Sequence, residues 1–119
     1  MKRRDQKVLE KLIIKASSKN KAVAYYNLGV FHDNNAREAE AIPNYEKALK
    51  LGLDNKKKSE CLAWLASSLY KTGKPKEALK RLEESYKIAG PKLKKFLDGL
   101  RRRINKKYLR NRPFFLKKV

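Results

Sequence analysis

The stretch that decides the fold is the pair of segments AVAYYNLGVFHDNNA at residues 22–36 and SECLAWLASSLYKTG at residues 59–73. The two segments align at an offset of 37 residues, and in both the apolar residues recur at three- and four-residue spacing. That spacing is the helical period, and strand patterns are weak along the whole chain. The sequence therefore predicts an all-α protein that contains a repeated helical unit.

Turn and breaker residues divide the chain into about six helices. Breakers fall at 17–18, 34–35, 52, 72–73 and 90–91. Gly73 suits the left-handed end of one helix, and Pro75 suits the first turn of the next. The predicted helices span about 4–16, 19–33, 37–51, a segment ending near 71, a segment beginning at 75, and 91–109.

A second part of each unit follows the quoted segment at the same offset. Small residues recur at Ala41 and Ala48, and again at Ala78 and Ser85, while Gly29 lies in the first segment. Small side chains at these positions allow two helices to approach closely. Each helix pair leaves one apolar face open, which neighbouring helices must cover.

These residues resemble the tetratricopeptide repeat family, a helix–turn–helix unit of about 34 residues. The repeats would be 22–55 and 59–92, and the Leu28-Gly29 pair stands at a characteristic family position. The run 37–53 followed by 61–73 also resembles a bacterial subfamily of small tetratricopeptide proteins. The resemblance implies an α-solenoid with capping helices at both ends. We expect one domain over 1–112, a basic capping helix at 91–110, and a tail at 113–119.

Two further predictions concern the turn inside the first repeat and the capping helices. Ala36 stands where the family has a turn glycine, so we expect Asn34 or Asn35 to supply the left-handed residue. We also expect one apolar stripe on each capping helix. The first comprises Val8, Leu9, Leu12, Ile13 and Ala16, and the second comprises Leu93, Phe96, Leu97, Leu100 and Ile104.

The sequence contains no catalytic constellation. The only histidine, His32, and the only cysteine, Cys61, fall at family core positions, which predicts a packed imidazole and a buried, inert thiol. Metal sites need several clustered ligands, which are absent here, and the five glycines form no phosphate-binding loop. We therefore predict a protein without enzymatic activity, metal or cofactor.

The location is predicted to be cytoplasmic. No apolar run approaches the ~18 residues of a membrane span. Charged residues interrupt the first apolar stretch, 8–15, which argues against a signal peptide.

The family resemblance implies a concave groove lined by the first helix of each repeat. Carried over to this sequence, the groove positions are Tyr26, Val30, Asp33 and Asn34 in the first repeat and Ala63, Ser67, Tyr70 and Lys71 in the second. Tyrosines beside small and polar residues suit an extended peptide or a partner helix. The alternative is that these residues only pack against the capping helices. The family's clamp for an acidic C-terminal peptide is not matched at Tyr26 and Val30.

Positive charge is concentrated at the ends of the chain, whose net charge is +20. Residues 1–21 carry eight basic and two acidic residues, a net +6, and residues 91–119 carry twelve and one, a net +11. The second cluster comprises Lys94, Lys95, Arg101, Arg102, Arg103, Lys106, Lys107 and Arg110. Such a cluster either is a solvated face or attracts nucleic acid, acidic protein or an anionic membrane surface.

The last feature is the apolar tail Pro113-Phe114-Phe115-Leu116. It either folds back on its own chain, occupies the groove of a second copy to form a homo-oligomer, or serves as a docking segment. The sequence thus favours a protein–protein interaction scaffold that binds a peptide or a partner helix. A basic protein that binds RNA or DNA through its last helix is the alternative.

Overall fold

A computed structural model describes residues 3–110, with side chains at 5–17 and 20–108. These residues form six α-helices and no strand. The helices are α1 (Arg3–Lys15), α2 (Ser18–Asn34), α3 (Glu38–Leu51), α4 (Asn55–Lys71), α5 (Pro75–Ile88) and α6 (Pro91–Arg110). The all-α prediction is confirmed, and the helix bounds agree with the predicted ones to within one residue. The tail at 113–119 lies outside the described residues.

Local chemistry explains where these helices begin and end. Asp54 caps α4, since its Oδ1 accepts a hydrogen bond of 2.9 Å from the Lys57 amide. Gly73 closes the same helix at a φ of 82°, and Pro75 opens α5. The turn between α2 and α3 differs from the prediction. Ala36, at a φ of 57°, is its left-handed residue, whereas Asn35 has a φ of −110°.

The helices pack as consecutive antiparallel pairs along an elongated body of 54 × 29 × 22 Å. Gly29 permits the close approach of α2 and α3, because a Cβ at that position would lie 2.5 Å from Cε1 of the buried Tyr45 ring. The main core runs from α2 to α6, and its fully buried side chains include Leu65, Leu82 and Leu97. The small residues predicted at the helix crossings, among them Ala41, are buried as well.

The two capping helices bury narrower stripes than predicted. Among the described side chains of α1, only Ile13 is buried, in a separate small core with Leu28 and Phe31, and Val8 and Leu12 are half exposed. In α6, Leu97, Leu100 and Ile104 are fully buried, but Phe96 remains 45% exposed. Phe96 does not pack in the core because α6 turns its side chain toward the groove beside α4.

Candidate binding groove

The four groove residues predicted on α2 lie in different environments. Tyr26 is buried, Val30 and Asp33 are half-buried, and Asn34 is exposed. Burial raises the pKa of the Tyr26 hydroxyl to about 12, with a smaller contribution from Glu60. The Trp64 side chain on α4 contacts this hydroxyl and has a smaller, opposite effect on its pKa. Tyr26 therefore packs between α2 and the Trp64 side chain of α4.

Asp33 joins three helices through its carboxylate. Its Oδ1 accepts a hydrogen bond of 2.7 Å from Ser68 Oγ on α4, and its Oδ2 accepts one from the Tyr45 hydroxyl on α3. Burial raises the pKa of Asp33, although these two hydrogen bonds act in the opposite direction. The two carboxylate oxygens thus bond within the protein, so Asp33 contributes to the packing of the repeat.

On α4, three of the four predicted residues line one cavity. The cavity has a volume of about 380 Å³ and lies between α4 and α6. Its lining comprises Glu60, Ala63, Trp64, Ser67 and Lys71 of α4 and Leu93, Phe96 and Arg103 of α6. This set of residues is called the α4–α6 groove below. The structure brings Ala63, Ser67 and Lys71 together in it, and the α2 residues do not line it.

Tyr70 lies apart from this groove. It lines a smaller cavity of about 220 Å³ with Gly73, Pro75, Lys107 and Tyr108. The ammonium group of Lys107 lies 5.5 Å from the centroid of the Tyr70 ring, within the range of a cation–π contact. Tyr70 therefore packs against the C-terminal half of α6.

Trp64 and Phe96 are two groove residues that were not predicted from the sequence. Trp64 is 39% exposed and Phe96 is 45% exposed, which is unusual for such large apolar side chains. Trp64 is the only tryptophan of the chain and immediately follows a predicted groove residue, a signal that could have identified it. Phe96 was not predicted because the family's groove positions apply to complete repeats, and α6 belongs to neither repeat.

Three of the eight basic residues predicted on the last helix contact aromatic rings of the neighbouring helices. Arg101 pairs with Glu83 on α5 and with Asp98 at 3.3 Å. Arg101 also lies 4.9 Å from the Tyr86 ring centroid, and Lys94 lies 5.2 Å from the same centroid. Lys107 contacts Tyr70, as described above. These cations help to hold α6 against α4 and α5.

Five members of the basic cluster are exposed: Lys95, Arg102, Arg103, Lys106 and Lys107, of which Lys107 also contacts Tyr70. The side chain of the remaining member, Arg110, lies outside the described residues. The cluster predicted as one group is therefore divided between an inward and an outward side of α6. Arg103 also belongs to the α4–α6 groove.

The two residues with the greatest potential for chemistry are buried, as predicted. Burial raises the pKa of the Cys61 thiol to about 12, so the reactive thiolate is disfavoured. Burial lowers the pKa of His32, whose neutral Nδ1 accepts a hydrogen bond of 3.1 Å from Arg37 Nε. Glu40 also lies 3.4 Å from this nitrogen, but the lowered pKa favours the neutral imidazole that accepts from Arg37.

The described residues contain neither a metal-binding cluster nor a membrane-spanning helix. Within these residues, no group of three or more His, Cys, Asp or Glu side chains could hold a metal ion. None of the described helices is both long and apolar enough to cross a membrane.

Paired antiparallel helices that stack side by side, with a groove between alternate helices, define the helical-repeat class of binding proteins. Within that class, the family model described as "Tetratrico peptide repeat" matches residues 22–105, and the chain belongs to this family. No curated protein and no solved structure matches the chain significantly. Tetratricopeptide repeats generally mediate protein–protein interactions and are typically non-enzymatic modules.

Proposed function

We propose that this protein is a non-enzymatic scaffold that binds a peptide or a partner helix in the α4–α6 groove. The observation that carries the proposal is a cavity of about 380 Å³ flanked by two large, partly exposed aromatic side chains, Trp64 and Phe96. Ligand pockets in proteins commonly have volumes of ~300–1,000 Å³. Aromatic residues are also enriched among the residues that dominate binding energy at interfaces.

The lining of the groove indicates what kind of side chain it accepts. Trp64, Phe96 and Leu93 offer apolar surface, and Ala63 and Ser67 leave room between them. An inserted leucine or aromatic side chain would bury apolar area at roughly 25 cal/mol per Å². The ligand would therefore present at least one large apolar side chain.

The charges around the groove favour one direction of the bound segment. Glu60 lies on the N-terminal half of α4, whereas Lys71 lies at its C-terminal end. The cationic side is extended by Arg103 of α6. A bound segment would place a basic group near Glu60 and an acidic group near the two cations.

The remaining predicted groove residues have separate roles in this proposal. Tyr26 contacts the side chain of Trp64, and Asp33 links α2 to α3 and α4 through its hydrogen bonds. Binding at Val30, Asn34 and Tyr70 stays a prediction from the family resemblance. The single domain over 1–112 and the cytoplasmic location also remain predictions.

The experiment begins with peptides selected from a random peptide library on the full-length chain. Because Trp64 is the only tryptophan, its emission reports occupancy of the groove directly. We expect a selected peptide to change that emission on titration. Phe96→Ala should weaken binding by roughly 30-fold or more, since truncation of a binding hot spot costs at least ~2 kcal/mol.

Leu51→Ala provides the matched control. Leu51 is a half-exposed aliphatic residue at the end of α3 and does not line the groove. Its truncation should leave peptide affinity unchanged. If selected peptides bind without changing Trp64 emission, and with the same affinity to Phe96→Ala, the groove assignment is wrong.

A further inference from the structure

The outward side of α6 presents a row of cations. Lys95, Arg102 and Lys106 are separated by seven and four residues, so they lie on one face of the helix, and all three are exposed. At a rise of 1.5 Å per residue, the row extends over about 16 Å. This length exceeds what one phosphate group can span, so the row suits a linear polyanion. The three residues are called the outer row below.

Two guanidinium groups converge at the middle of this face. Nη2 of Arg102 and Nη1 of Arg103 lie 3.8 and 3.7 Å from the position that a Cβ on Gly99 would occupy. Two like charges brought over the same glycine repel each other, and an anion between them would relieve that repulsion. Guanidinium groups bind phosphate oxygens with two parallel hydrogen bonds, which makes arginine well suited to this role.

No acidic side chain of α6 is available to neutralise the outer row. The only acidic residue between 91 and 110 is Asp98, and it pairs with Arg101. Arg101 and Lys94 are directed to Tyr86 on α5 instead of the outer face. The arrangement thus separates cations that hold the helix in place from cations that face solvent.

We propose that the outer row, with Arg103, binds the phosphate backbone of a nucleic-acid duplex. Single strands are usually held by aromatic side chains on which bases stack. The exposed aromatic residues near α6, Trp64 and Phe96, lie in the α4–α6 groove and not in the outer row. Binding to a membrane surface needs apolar side chains that enter the lipid, and Gly99 is the residue between Lys95 and Arg102 on this face. Contacts of this type do not read base edges, so binding should depend on charge and not on base sequence.

The test uses the full chain and a fluorescently labelled DNA duplex of about 20 base pairs, by anisotropy, from about 50 to about 300 mM salt. Each phosphate contact contributes about 0.9 to the slope of log affinity against log salt. The triple variant K95Q/R102Q/K106Q should therefore lower that slope by roughly three and reduce affinity at about 100 mM salt by roughly a hundredfold.

The matched control is K76Q/K80Q/K87Q, which removes the same charge from three exposed lysines on α5. We expect this control to leave the slope unchanged. The helical circular dichroism signal and its thermal transition show that each variant is folded. Because none of the six residues lines the α4–α6 groove, the test is independent of peptide binding there.

Three outcomes would overturn the proposal. An equal loss of affinity in the α5 control would show that net charge, and no particular face, attracts the duplex. A wild-type affinity in the outer-row variant would show that the face does not bind. Equally tight binding of polyglutamate or of a single strand, lost in the same variant, would assign the face to another class of polyanion.

Discussion

At the scale of single residues, Gly29 is a position where one added methyl group has a large effect. A Cβ there would lie 2.5 and 2.6 Å from two carbons of the Tyr45 ring. That ring is fully buried and its hydroxyl bonds to Asp33, so it has little room to move. We expect Gly29→Ala to lower the free energy of unfolding by about 1–3 kcal/mol, the usual cost of overpacking. Urea denaturation followed by circular dichroism measures the change.

Gly99 provides the control for that substitution. It also lies inside a helix, but the nearest atoms to an added Cβ are the ends of two arginine side chains at 3.7 and 3.8 Å. Gly99→Ala should therefore raise the free energy of unfolding by about 0.5–1 kcal/mol, because alanine is the better helix former. If both substitutions stabilise the protein, the proposed contact between α2 and Tyr45 is not a close one.

Residue roles were predictable from the sequence where the repeat itself determines them. Gly29, Cys61 and His32 occupy core positions of the repeat, and all three are buried. Trp64 and Phe96 could not be placed in the same way. Their exposure depends on how α6 lies against α4, and the apolar pattern of one helix does not encode its rotation against a neighbour.

At the scale of the elements, the turn between α2 and α3 contains the strained residue Ala36. Ala36 and Gly73 occupy equivalent positions 37 residues apart, with φ values of 57° and 82°. In the two turns, the amides of Arg37 and Lys74 donate equivalent hydrogen bonds of 2.9 and 2.8 Å to the preceding helix. Ala36 thus adopts the conformation that glycine adopts in the second repeat.

Ala36→Gly should stabilise the protein, because the left-handed conformation costs alanine about 1–2 kcal/mol of conformational energy. Glycine also increases the conformational entropy of the unfolded chain, which offsets about 0.4–1 kcal/mol of this gain. The expected net gain in the free energy of unfolding is roughly 0.5–1 kcal/mol by urea denaturation. The control is Ala39→Gly in the exposed first turn of α3, which should cost about 0.5–1 kcal/mol. A loss in both variants would contradict the strained turn.

The helix bounds were predictable because glycine, proline and asparagine act locally on the backbone. The conformation of Ala36 was not, because Asn34 and Asn35 both tolerate the left-handed region better than alanine does. The geometry of the repeat decides instead: the turn needs its left-handed residue at the place that Gly73 occupies in the second repeat. Here the fold overrides the local preference.

At the scale of the whole molecule, stability is distributed unevenly along the elongated body. One core extends from α2 to α6, and a separate small core joins α1 to α2. In α1, Ile13 is the buried apolar side chain, while Val8 and Leu12 are half exposed. In repeat proteins each unit is stabilised by its immediate neighbours, so a weakly attached end can open without the rest.

Hydrogen exchange followed by mass spectrometry can separate these two levels of stability. We expect the amides of α1 to exchange at a lower free energy of opening than those of α4. Ile13→Ala should speed exchange in α1 and leave α4 and α5 as in the wild type. Leu97→Ala removes a fully buried side chain of the main core, should cost about 2–5 kcal/mol, and should speed exchange throughout α4, α5 and α6.

The comparison of these two variants decides whether the chain unfolds as one unit or from its end. The two substitutions truncate buried aliphatic side chains of similar size, so the difference between them reports the position of the residue along the solenoid. If Ile13→Ala speeds exchange in α4 as much as Leu97→Ala does, α1 is part of a single cooperative unit. An effect confined to α1 would mean that the repeats from α2 to α6, which contain the α4–α6 groove and the outer row, keep their structure when the first helix opens.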